Sequence, residues 1–203
     1  LGLACLALFE IANVYFIMPM PGSQRIDSLE TAYLLHSWRW YIRAFALALI
    51  LVGAWQAFRI KRWWQPAVAL VAVLGLGAFI HWEMAADTMF YQPKNLLMAT
   101  AKDNTVPHHK LVLGVNVGGE ARAYPIQFIG YHHQVRDTVG GEPIMVTYCT
   151  VCRSGRVFSP KVNGHSETFR LVGMDHFNAM FEDATTGSWW RQATGEAVAG
   201  PLK

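Results

Sequence analysis

Gln134-Val135-Arg136-Asp137-Thr138-Val139-Gly140-Gly141-Glu142-Pro143-Ile144-Met145-Val146-Thr147-Tyr148-Cys149-Thr150-Val151 sets two extended, β-branched runs on either side of a Gly-Gly pair. Glycine tolerates the positive φ angles of a two-residue hairpin turn, so the stretch predicts Gln134–Val139 paired with Ile144–Val151. The same grammar recurs on both sides. Lys110–Val117 reads as a strand, Gly118-Gly119 as a turn and Glu120–Ile126 as the partner strand. Downstream, Gly155–Val162 meets Asn163-Gly164 and then Ser166–Val172. Three successive hairpins favour an antiparallel β domain, a barrel or a sandwich. The tail, Phe177–Lys203, is rich in Gly and Trp and stays open between one short helix and further strands.

Ahead of this region the texture is different. Of the 203 residues 53% are hydrophobic and only 15% charged, and the long apolar runs lie before Trp82. That asymmetry implies a membrane part followed by a globular part. A helix crossing the hydrocarbon core needs roughly 17–25 residues, and the stretches of about 1–18, 38–58 and 66–82 qualify. The first lacks a basic start and is interrupted by Glu10 and Asn13, which argues against a cleaved signal sequence. The expected class is an α+β membrane protein, with three transmembrane helices followed by an antiparallel β-rich extracytoplasmic domain. The expected divisions are an anchor at 1–92, a linker at 93–109 and the outer domain at 110–203. Met89-Phe90-Tyr91-Gln92-Pro93 reads as a landing segment on the membrane surface.

Arg59, Lys61 and Arg62 crowd the connector between the second and third stretches. The positive-inside rule puts that connector in the cytoplasm. Everything after Trp82 then lies on the periplasmic or outer side of a bacterial inner membrane. Trp38, Trp40, Tyr41, Trp63 and Trp64 fit interfacial aromatic belts. Glu10 carries two readings: a proton or helix-pairing site inside a span, or an acid near a helix end that reaches water. The expected partners are the lipid bilayer and other membrane protein subunits. A net charge of +3 with no long Lys/Arg block gives no nucleic-acid signature.

Cys149 and Cys152 are the only closely spaced thiols. On this map they end a strand and enter a turn closed by Gly155. In the thioredoxin arrangement such a pair caps a helix; here no amphipathic helix follows. Three states stay open: a static or exchanging disulfide, a metal knuckle, and free structural thiols. Extra metal ligands are sought in His132, His133 and His176, with His165 and Met174 nearby and Asp175 as an orienting carboxylate. A Cys/His/Met set suits copper, and two Cys with two His suit zinc. Arg153 follows the pair where c-type haem attachment needs His, which excludes that linkage. Of the doublet His132-His133, alternation along an extended chain points one ring inward and one outward. Trp189, Trp190 and Arg191 form a candidate interaction surface, since Trp and Arg dominate binding hot spots, or else they pack the base of the domain against the membrane. Ser154 with a histidine and Asp175 lacks a nucleophile elbow, which disfavours a hydrolase.

Ala123-Tyr124-Pro125-Ile126, Asp137-Thr138-Val139-Gly140-Gly141, Val146 to Gly155, and Gly187-Ser188-Trp189-Trp190-Arg191-Gln192-Ala193-Thr194-Gly195-Glu196-Ala197 occur in that order. Together they resemble the prokaryotic domain-of-unknown-function family numbered 3179, over about residues 107–203. The resemblance implies no chemistry. The function expected from the architecture is a membrane-anchored accessory subunit of a larger membrane electron-transfer complex, respiratory or photosynthetic, rather than an enzyme. The alternatives are a periplasmic thiol-disulfide oxidoreductase and a copper- or zinc-binding domain.

Overall fold

Apolar residues with good helix propensity dominate the first third of the chain, and they form helices in the computed structural model, which describes residues 1–61 and 63–203. Arg62 of the basic connector lies outside the described residues. The chain divides into two compact units, Leu1–Met89 and Phe90–Lys203.

The first unit holds α1 (Gly2–Tyr15), α2 (Leu29–Arg59), α3 (Trp64–Glu83) and the short α4 (Ala86–Met89). Two of these, α2 with 31 residues and α3 with 20, are long and apolar enough to cross a membrane. At about 1.5 Å per residue they exceed or match a hydrocarbon core of about 30 Å. Of the three expected spans, the second and third are these two helices, and the first is a shorter apolar helix. Within the described residues, the first stretch is helical over Gly2–Tyr15, and the chain turns at Phe16–Met18 before Pro19. The second starts nine residues ahead of the expected Trp38, at Leu29. Glu30, His36 and Arg39 lower its hydropathy there without interrupting the backbone ladder.

α1 packs against both α2 and α3. Gly2 makes the first crossing possible, since a Cβ there would sit 2.8 Å from the Ile50 nitrogen and 2.9 Å from the Ala46 carbonyl oxygen. Small residues at such crossings let helix backbones approach closely. Further along, Glu10 is buried and accepts two hydrogen bonds from Arg43, Nε to Oε1 at 2.8 Å and Nη2 to Oε2 at 2.9 Å. The Arg43 guanidinium also lies 5.0 Å from the Trp40 ring centroid and 5.7 Å from that of Phe9. Glu10 is therefore a helix-pairing residue, not an acid reaching water.

The second unit is antiparallel throughout. Its strands are β1 (Val112–Val117), β2 (Glu120–Pro125), β3 (Gln134–Val139), β4 (Glu142–Cys149), β5 (Ser154–Phe158), β6 (Lys161–Val162), β7 (His165–Ser166), β8 (Phe169–Asp175), β9 (Asn178–Asp183), β10 (Trp189–Arg191) and β11 (Ala197–Ala199), with helix α5 (Ile126–His132) between β2 and β3. Four sheets result: β1-β2, β3-β4-β5, β6-β7 and β11-β10-β9-β8. One core cluster gathers Tyr124, Ile129, Val135, Val139, Ile144 and Val146. Phe169, Leu171, Met180, Phe181 and Trp189 are buried on the four-stranded sheet.

The first two predicted hairpins form on their Gly-Gly pairs, whose φ angles run from 57° to 86°. They also interlock. A Cβ on Gly140 would stand 2.2 Å from the Val117 carbonyl oxygen, so only glycine fits there. Beside this joint, Asp137 accepts from Arg122 Nη1 at 2.6 Å and from the Tyr124 hydroxyl at 2.7 Å, while Glu120 accepts from Arg122 and from the Gly140 amide.

The third expected hairpin is shorter than predicted. The run Gly155–Val162 breaks after Phe158, where Pro160 cannot donate to a ladder. Its first half pairs with β4, and only Lys161–Val162 folds back on Asn163-Gly164. β8 pairs instead with β9, so the tail holds strands. Phe90–Gln92, expected on a membrane surface, packs onto the β unit: Gln92 Nε2 donates to the Phe169 carbonyl at 3.0 Å, and the Phe90 ring lies 4.4 Å from that of His133.

Candidate functional site

The end of β4 and the start of β5 carry the thiol pair. Cys149 closes β4, residues 150–153 make the turn, and Ser154 pairs back opposite Cys149. Arg153 takes a positive φ of 52° to complete that reversal. Both thiols are free, and their surroundings differ. Cys149 is fully buried, and its Sγ donates to the Phe177 carbonyl at 3.5 Å while accepting from the Cys152 amide at 3.4 Å. Burial pushes the Cys149 thiol above its ordinary range, and the neighbouring Cys152 thiol pushes it further. Cys152 is half-exposed, with its Sγ 3.1 Å from the Ser154 hydroxyl.

Behind Cys152 stands a polar relay that sequence reading missed. Ser154 Oγ donates to Gln192 Oε1 at 3.1 Å. Gln192 Nε2 donates to Thr147 Oγ1 and to the Ser154 carbonyl, each at 3.1 Å. Thr147 Oγ1 donates to the Arg156 carbonyl at 3.1 Å. Gln192 and Thr147 are buried, so the relay fixes the turn from inside the protein. It also joins two of the motifs quoted above, Val146 to Gly155 and Gly187 to Ala197. Gln192 was visible in the second motif, but nothing in its local sequence tied it to a thiol.

Over Cys149 lies the β8–β9 turn. Asp175 and Asn178 pair, which leaves His176 and Phe177 as its two central residues, at φ 47° and 63°. Such a turn favours Asn-Gly. Bulky residues in the left-handed region cost about 1–2 kcal/mol each, and strain of this kind concentrates at functional sites. Asp175 supports the turn from below: His176 Nδ1 lies 2.8 Å from its Oδ1, and Arg191 Nη2 donates to Oδ2 at 2.6 Å.

The other predicted site residues are dispersed. His132 is the last residue of α5 and His133 its left-handed cap at φ 62°, so they do not alternate along an extended chain. His132 Nδ1 meets the Tyr91 carbonyl. His133 is buried, its Nδ1 donates to the Tyr131 carbonyl at 3.3 Å, and desolvation holds its pKa below the usual histidine range. Among the described residues no group of three or more His, Cys, Asp or Glu side chains is placed to hold a metal ion. The structure therefore does not gather Cys149, Cys152, His132, His133 and His176 around one point. Trp189 is core, 1% exposed, with its indole nitrogen donating to Glu182 at 2.8 Å. Trp190 donates to Asp183 at 2.8 Å and stacks edge-on to Phe169. Within the expected Trp189–Arg191 surface, Trp190 and Arg191 alone keep partial exposure.

Chemically the arrangement offers one accessible sulfur beside a hydroxyl and one protonated buried sulfur next to it. A family model described as "Protein of unknown function (DUF3179)" matches residues 92–203. No curated protein and no solved structure matches the chain.

Proposed function

Because this chain belongs to the DUF3179 family, whose description assigns no activity, we propose a function from its own residues: a membrane-anchored redox accessory subunit that exchanges its thiol pair with a disulfide of a partner in the same membrane complex. One observation carries the reading: the unequal setting of the two free sulfurs, Cys152 half-exposed and Cys149 buried beneath a strained turn. In this mechanism Cys152 gives its proton to water and attacks one sulfur of the partner's disulfide. That S–S bond breaks, a Cys152–partner bond forms, and the departing sulfur takes the electron pair and the Cys149 proton. The Cys149 thiolate then attacks the Cys152 sulfur and releases the partner's second thiolate. Two electrons have passed to the partner, and a Cys149–Cys152 disulfide remains until a dithiol donor reduces it. Burial keeps Cys149 protonated in the resting dithiol, which leaves Cys152 as the sulfur that attacks first.

The basic connector supports an extracytoplasmic position for the domain, since a cytoplasmic α2–α3 loop sends the chain outward after α3. That topology needs only the α2–α3 pair and is independent of α1. Exposed Trp38, Trp40, Trp55 and Phe79 on these helices support a setting among lipids and neighbouring subunits.

The test uses the full chain in detergent with glutathione disulfide. The expected product of Cys149→Ser is a stable glutathione adduct on Cys152, while the unaltered chain proceeds to the internal disulfide. An adduct that forms first on Cys149, or a pair inert for hours, would overturn the reading. Labelling that finds residues 110–203 on the side of Lys61 would remove the extracytoplasmic placement.

A further inference from the structure

We infer that the segment 94–112, together with α5, is a docking surface for an anionic phospholipid bilayer. A groove of about 740 Å³ opens between this segment and the β1–β2 hairpin; its walls include Leu97, Met98, His108, Lys110, Val112 and Phe128. The apolar side chains around it are turned to solvent. Leu97 is 92% exposed, Leu111 76% and Phe128 56%. A contiguous apolar patch of this kind is costly in water and marks a protein or membrane interaction site.

Charge selects between those occupants. Lys94, Lys102 and Lys110 stand in the segment against a single acid, Asp103, and all three lysines are exposed. Asp103 already accepts from Thr100 Oγ1 at 2.7 Å, and no lysine of the three has an ion-pair partner among the described residues. Lysines interleaved with exposed leucine and phenylalanine suit phosphate headgroups above acyl chains. Near an anionic surface each lysine favours binding by about fivefold. The tether supplies the same occupant. Leu97 follows the last residue of α3, Glu83, by 14 residues, and an extended chain of that length reaches at most about 50 Å. A bilayer held by α2 and α3 is therefore always within reach. This surface is distinct from Phe90–Gln92, which are committed to the β unit itself, and it does not involve the thiol pair.

The experiment is hydrogen exchange on the full chain in nanodiscs of phosphatidylcholine alone, or with about one third phosphatidylglycerol. The expected result is exchange across residues 94–112 at least about tenfold slower in the anionic discs, with the difference lost at high salt. The triple variant Lys94→Glu/Lys102→Glu/Lys110→Glu alters only exposed side chains and is expected to abolish the difference. Equal exchange in both discs would overturn the inference, as would protection retained in the variant. Protection that appears without lipid and rises with protein concentration would assign the surface to a second copy and overturn it equally.

Discussion

In the helical unit Glu10 has Arg43 as its one hydrogen-bond partner among the described residues, through two parallel bonds between helices and 33 residues apart in sequence. In the β unit Asp137 meets Arg122 across two adjacent hairpins, and it is shared with Tyr124 and the Thr138 amide, while Arg122 is shared with Glu120. The two arginine side chains are about equally exposed, at 24% for Arg43 and 26% for Arg122. The difference lies in how many neighbours divide the charge. If the helices lie in lipid as proposed, association brings little hydrophobic gain, so close packing at Gly2 and one strong polar pair carry the specificity. In the β unit a hydrophobic cluster already holds the hairpins, and the ion network serves to fix their register.

That contrast can be broken most forcefully at Arg43. Arg43→Leu leaves the Glu10 carboxylate buried without a counter-charge, and the expected loss is about 3–5 kcal/mol, read as a lower unfolding temperature in detergent. The double variant Glu10→Leu/Arg43→Leu is expected to recover most of it. A single variant as stable as the unaltered chain would show that the pair is replaceable by water or lipid. A smaller effect is expected in the β unit. Asp137→Asn keeps the shape, loses the charge-assisted bonds and is expected to cost about 1–3 kcal/mol in urea unfolding. A loss equal to that at Arg43 would erase the distinction between isolated and shared pairs.

The smallest expected effect is in pH. Burial acts to raise the Asp137 carboxyl, but hydrogen bonds from Tyr124, Arg122 and Thr138 outweigh it and hold the carboxyl below its ordinary range. The unfolded chain therefore takes up the proton first as pH falls below about 4. The stabilisation from Asp137 is complete above that value and is lost as pH drops through the folded pKa. At the other end, burial and the Asp137 carboxylate push the Tyr124 phenol upward. The unfolded phenol ionises first, so its contribution is complete below about pH 10 and is lost as pH rises beyond it. Urea midpoints measured from pH 6 to 3 check the acid limb, which is expected to flatten in Asp137→Asn. An unchanged slope in that variant would move the effect to Asp183, whose carboxyl is also depressed because bonds from Trp190 and Thr186 outweigh its burial.

How far the sequence could be read depended on the range of each interaction. Gly118-Gly119 and Gly140-Gly141 dictate turns through their own backbones, so both hairpins were legible, down to the bounds of Gln134–Val139. Pro160 announced a break that the apolar pattern around it concealed. α5, with seven residues, spans barely two turns and offers too little periodicity to be seen. The expected division of His132 and His133 into one outer and one inner ring is seen, with His133 buried, but the end of this helix sets it rather than strand alternation. Arg43 was the one charge between Arg39 and Arg59 and so a visible anomaly in an apolar run. Its pairing with Glu10 depends on how α1 crosses α2, which no local pattern encodes. Gln192 reaches partners 38 and 45 residues away, and a glutamine after Trp-Trp-Arg carries no trace of that.

Strand β4 has two very different ends. In the turn before its start, Gly140 lies so close to Val117 that not even a methyl group fits; about 24 Å along the strand, the chain leaves Cys149 into a loop with half-buried and exposed positions. A side chain added at the first end has nowhere to go, whereas at the second Val151 and Arg153 already stand in solvent. One end of the strand is thus held by backbone contact that leaves no room, and the sulfur-bearing end by side-chain hydrogen bonds that a visiting group can exchange.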